Sequence, residues 1–71
     1  MMVEVFKTNV DDRDRASWLI EQIQDSFCNY IASFDLEDCD RILRVEAFSL
    51  QASAVIEKLN REGFFCAEME D

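Results

Sequence analysis

Two stripes of apolar residues at helical spacing, each set between stretches that alternate with period two, constrain this chain more than any other feature. Ala16, Leu19, Ile20, Ile23 and Phe27 share one narrow stripe at about 100° per residue, which predicts a helix over roughly Asp12 to Phe27. Ala52, Val55, Ile56 and Leu59 form a second stripe, with Ser49 placed to cap its start and Gly63 to supply the left-handed residue that ends it. Ahead of the first helix, "MVEVFKT" is rich in branched and aromatic residues, so Met2 to Thr8 reads as a strand. Between the helices, Tyr30, Ala32, Phe34 and Leu36 share one face at period two, as do Leu43, Val45 and Ala47, with Arg44 and Glu46 opposite. The polar "EDCD" makes these two runs a hairpin, and "FFCAEME" reads as the last strand. The order strand, helix, strand, strand, helix, strand predicts an α+β fold of the ferredoxin-like βαββαβ type. In it, two helices lie on one face of a four-stranded antiparallel sheet.

At 71 residues this is one domain, near the size where a single core only just outweighs the entropy of ordering the chain. Its 49% hydrophobic content, six Phe and absence of Pro are those of a packed globule. No apolar run approaches a bilayer span, and "MMVEVFKTNV" lacks the basic flank and long apolar core of a secretory signal. Seven Lys and Arg against sixteen Asp and Glu give a net charge of -9, which opposes phosphate neutralisation. Nucleic acid and anionic membrane are therefore excluded as partners, whereas a basic protein surface or a cation is favoured. Three cysteines are too few, and odd in number, for a disulfide framework, so reduced thiols and a cytoplasmic location are expected.

The closing stretch "VIEKLNREGFFCAEME", together with the element order and length of the whole chain, resembles the heavy-metal-associated (HMA) domain of small copper chaperones and copper-transporting ATPases. In that family a Met-x-Cys-x-x-Cys motif between the first strand and first helix holds the metal. Aligning the helix stripes puts Val10 at the Met position and Asp12 and Arg15 at the two Cys positions. A carboxylate beside a guanidinium cannot imitate the thiolate pair that holds a soft ion such as Cu(I). Phe64 matches the residue that covers the metal loop in the family, and here it would cover an empty one. The resemblance implies the fold without the family's metal chemistry.

The remaining candidates each have an ordinary structural reading. In "DDRDR" the acids suit the positive end of a helix dipole, whereas Arg13 and Arg15 do not, and these two are candidates for partner contact. The hairpin acids Asp35, Glu37, Asp38 and Asp40 lack the spacing of a Ca²⁺ loop and suit a solvated turn. Cys28 and Cys66 read as small buried hydrophobes and Cys39 as exposed. A Cu or Zn carrier would have to use Cys39, Cys66 or Asp12, yet the strands flanking the two thiols are expected to be opposite edges, about 14 Å apart. Trp18 lies opposite the first helix stripe and is the leading partner-binding candidate, with Arg13, Arg15 and Phe64 beside it in the expected set. Val3, Val5 and Ile42 are expected on the open face of the sheet, as an apolar patch suited to a dimer or partner.

Absence of His removes the commonest general base, and a single Gly rules out a glycine-rich phosphate loop, so no enzyme is expected. The expectation is a non-catalytic HMA-like interaction or regulatory module. The alternatives are a soft-metal carrier with unusual ligands and a homodimeric structural module.

Overall fold

A computed structural model describes residues 1–37 and 39–69. Asp38 of the hairpin tip and Glu70 of the expected last strand lie outside them. The elements are β1 (Met2–Thr8), α1 (Arg13–Ser26), β2 (Ile31–Asp35), β3 (Ile42–Ala47), α2 (Ala52–Arg61) and β4 (Cys66–Glu68). All strand pairs are antiparallel, in the order β2-β3-β1-β4, so the hairpin places β2 at one edge and the last strand β4 at the other. The fold is the ferredoxin-like α+β fold that the two periodicities predict. No described helix is long and apolar enough to cross a membrane.

Alternation along the strands decides which face meets the helices. Phe6 is fully buried and pairs with Leu43, itself fully buried, while Val45 and Ala32 face each other one step along. Ile23 of α1 and Val55 and Leu59 of α2 close over them in one core. Ile20, Phe27 and Ile56, at the margins of their stripes, are half-buried at its edge. The opposite parity, Val3 and Val5 with Ile42, Arg44 and Glu46, faces away from both helices, as expected.

The ends of α2 follow different rules. At its C-terminus the Gly63 N–H donates to Asn60 O at 3.0 Å and the Phe64 N–H to Leu59 O at 2.9 Å. This pair of bonds is the Schellman arrangement, and it requires the left-handed φ of 91° that Gly63 adopts. Its N-terminus corrects the expectation for Ser49, because the cap residue is Gln51 and no side chain caps the helix. The Gln51 N–H instead donates to Tyr30 Oη at 3.1 Å, and the Tyr30 ring stacks on Phe27 with centroids 4.8 Å apart. An aromatic pair from the α1–β2 connection thus anchors the start of α2, which a local capping rule cannot foresee.

β4 is also shorter than "FFCAEME" suggests. Among the described residues the ladder with β1 runs from Cys66 to Glu68, with one further bond from the Met69 N–H to Val5 O, because Phe64 and Phe65 are still turning out of α2. At the other edge, the Ala32 N–H of β2 donates to Gln24 Oε1 of α1 at 3.2 Å, so a helix side chain blunts that strand edge.

Gly63→Ala is expected to lower unfolding free energy by about 1 kcal/mol in a urea titration. The cost comes from φ alone, since a Cβ there would meet no atom within 4 Å. An unchanged midpoint would show that the turn relaxes to another conformation.

Candidate functional site

The end of β1, the start of α1, the hairpin tip and the turn after α2 meet at one end of the domain. Thr8 ties them together. Its buried hydroxyl donates to Arg41 O at 2.7 Å and accepts from the Val10 N–H at 3.2 Å, while the Thr8 N–H donates to Asp40 O at 3.0 Å. Across the same end, Asn9 Oδ1 accepts from the Phe65 N–H at 2.9 Å. The loop that carries metal in the HMA resemblance is therefore held on both sides by hydrogen bonds.

Its interior is apolar. Val10 is fully buried in a cluster with Ala16 and Leu19, and Phe34, Leu36 and Phe64 pack against it. Phe64, expected over an empty loop, packs on the side chains that fill that loop. It is half-buried against this cluster and the main core, and its neighbour Phe65 is the exposed one. Phe64 is thus a packing residue in this structure.

Asp12 is the N-cap of α1, with Oδ1 accepting from the Asp14 N–H at 2.9 Å, so its carboxylate satisfies a helix-start donor. Its other oxygen lies 3.8 Å from Arg15 Nε, an exposed pair worth about 0 to 1 kcal/mol. Asp35 acts similarly in the hairpin, where Oδ1 accepts from the Glu37 N–H at 3.2 Å. Among the described residues no three His, Cys, Asp or Glu side chains converge on a common point that could hold a metal ion.

The thiols depart from expectation at one position. Cys66 is buried and Cys39 exposed as read from the sequence, but Cys28 is exposed. It falls in the turn after α1, where Asn29 takes a left-handed φ of 71°, so the helix stripe ends at Phe27 and Cys28 swings out to solvent. Burial pushes the Cys66 thiol from 9.0 up to about 12, which keeps it protonated and makes it a poor metal ligand at neutral pH.

Trp18 is 43% exposed on α1. Asp14, Trp18, Glu21 and Asp25 succeed one another along the helix at spacings of four, three and four, so the ring sits within a row of carboxylates. None of the three makes an ion pair among the described residues. Arg13 and Arg15 do not lie together, since two residues turn the helix by about 200°; Arg15, three residues before Trp18, borders the ring, whereas Arg13 does not. Arg13 lies instead on an open groove of about 360 Å³ between α1 and β2, with Ile20, Phe34 and Leu36 in its lining and Asp35 and Glu37 on the hairpin side. The four expected partner-binding residues are thus dispersed over a helix face, a groove, a cap and a core. The groove itself has no local sequence signal, because it arises from the distance between α1 and the hairpin.

Comparison with protein-family models, with curated proteins and with solved structures finds no match.

Three measurements check this geometry. In folded protein, Cys28 and Cys39 are expected to react rapidly with a thiol reagent while Cys66 reacts only on unfolding; three fast thiols would contradict the burial of Cys66. Because its folded pKa is raised above the unfolded 9.0, Cys66 contributes stability that is fully present below pH 9 and is lost as pH rises toward about 12. Cys66→Ala is expected to flatten that alkaline loss in denaturant midpoints measured across the range. Asp12→Ala is expected to cost about 1 kcal/mol through loss of the cap, and Arg15→Ala less than about 0.5 kcal/mol.

Proposed function

We propose that this domain is a non-catalytic HMA-like module without the cysteine metal loop, working in the cytoplasm as a protein-interaction or regulatory unit. The observation that carries this reading is the exposed Trp18 set among Asp14, Glu21 and Asp25 on α1. A Trp ring offers a large apolar surface and an electron-rich face for a Lys or Arg, and three adjacent carboxylates add ion pairs around it. A chain of net charge -9 attracts such a basic segment from a distance. The loop chemistry supports the same reading. Where the resembling family places two thiolates, this chain places a helix cap and an arginine, above a fully buried valine.

An amphipathic helical peptide bearing Lys and Arg serves as the probe for a basic partner. Its titration into the full chain is expected to shift the emission of Trp18, the single tryptophan. Calorimetric affinity is expected to fall at least about tenfold in Trp18→Ala, and again when Asp14, Glu21 and Asp25 are replaced by their amides. Equal binding by all three proteins would overturn the assignment of this face. Separately, reduced protein titrated with Cu(I) or Zn²⁺ is expected to form no stoichiometric complex. A one-to-one complex lost on Cys39→Ser would establish the metal-carrier alternative instead.

A further inference from the structure

Among the described residues no element covers the outer face of the sheet. Its outward positions include Val3, Val5, Ile31, Ile42, Ala67 and, by continued alternation past β4, Met69, whose N–H donates to Val5 O at 2.9 Å. Val3 is 45% and Ile31 59% exposed. Two highly exposed side chains, Met1 and Phe48, lie immediately beyond the ends of β1 and β3 at the same end of this face. The charged residues among the outward positions are Lys7, Arg44, Asp35 and Glu46, two of each sign. Among the described residues the charges of this face thus cancel, and the acidic excess lies elsewhere in the chain.

We propose that this face is the interface of a symmetric homodimer, with Arg44 of each copy paired to Glu46 of the other. Arg44 and Glu46 are outward neighbours on β3, two residues apart, and neither makes an ion pair among the described residues. A two-fold axis lying between two sheets, crossing β3 between these residues, exchanges their positions. Arg44 then meets Glu46 of the second copy, and the reverse contact forms at the same time, as an isologous interface requires. The register carries the apolar residues along. The same axis sets Val3 over Val5 of the second copy, and brings Phe48 toward Ile42 of the second copy.

A second copy is the occupant favoured by charge. Two acidic chains repel, and the neutral face is where they approach with least opposition. A basic partner would instead prefer the acidic surfaces elsewhere. Strands of seven, five, six and three residues, about 4.8 Å apart and about 3.4 Å per residue, give a face that buries roughly 700 Å² in total when doubled, to which Met1 and Phe48 add, the size of a weak, reversible interface. Aligned sheet packing accommodates the antiparallel strand directions that this axis produces.

The test is sedimentation of the full chain from micromolar to submillimolar concentration. Wild type is expected to pass from monomer to dimer. Arg44→Glu and Glu46→Arg are each expected to weaken association at least about tenfold, because each sets like charges together twice. The double variant, Arg44→Glu with Glu46→Arg, is expected to restore it. Val3→Asp, at an exposed position that the fold tolerates, is expected to abolish the dimer, and Trp18→Ala to leave it unchanged. Wild type that stays monomeric throughout, single reversals without effect, or a double variant that does not recover would overturn the proposal. So would loss of the dimer in Trp18→Ala, which would place the contact on α1 instead.

Discussion

Phe6 occupies the centre of the sheet, paired with Leu43 on one side and with Glu68 on the other, and it is fully buried beneath the helices. Burying a side chain of that size removes it from water for a gain of about 1.5 to 3 kcal/mol. Its larger effect is on register. A slip of one residue in β1 would carry Phe6 and Thr8 to the outer face and Val5 and Lys7 to the inner one, exposing the aromatic ring and burying an ammonium. The Thr8 hydroxyl would then lose both Arg41 O and the Val10 N–H, which it holds only in the native register. Position of the loop and pairing of the strand are thus fixed by the same alternation.

That coupling explains why the loop end is structurally occupied. Val10 lies two residues beyond Thr8 and is drawn into the cluster with Ala16 and Leu19 by the bond from its N–H to the Thr8 hydroxyl. Asp12 follows at the point where the helix needs an acceptor, and its carboxylate provides one. The charged run "DDRDR" therefore starts α1 over a packed loop interior, and a groove opens only beside Arg13. Its acids are explained by helix-start chemistry. Arg13 and Arg15, both candidates for partner contact, diverge around the helix, so they offer separate contacts.

The elements governed by periodicity or by a residue of special conformation were readable in the chain. The stripes at Ala16, Leu19 and Ile23 and at Val55 and Leu59 name the buried faces, the alternation around Phe6 and Leu43 names the inner side of the sheet, and Gly63 marks the end of α2. Features set by tertiary distance were not. Tyr30 anchors Gln51 across 21 residues, so Ser49, an attractive cap by local sequence, is not the cap in the structure. Cys28 looked apolar by composition, but one left-handed residue, Asn29, redirects the chain at that point. Asn tolerates that conformation better than other non-glycine residues, so Asn29 was the available signal. Trp18 was legible because a helix wheel alone separates it from the core stripe. The groove beside Arg13 was not, because it depends on how α1 settles against β2.

The acidic row on α1 and the outer face of the sheet lie on opposite sides of the domain, and this makes the two proposed contacts compatible. Pairing two sheets through Val3, Val5 and Ile42 leaves α1 of each copy on the outside, with its Trp18 and acidic row unobstructed. A dimer then displays two such rows, and a partner bearing two basic segments at a matching separation would bind the second with an effective concentration set by its own linker. The acidic excess has opposite consequences at the two surfaces. It accelerates the approach of a basic partner to α1, and it opposes the meeting of two copies, so added salt weakens the first contact and relieves the long-range repulsion in the second. A neutral outer face is the arrangement under which so acidic a chain can self-associate at all, and the Arg44–Glu46 exchange supplies specificity that its small apolar area would not provide unaided.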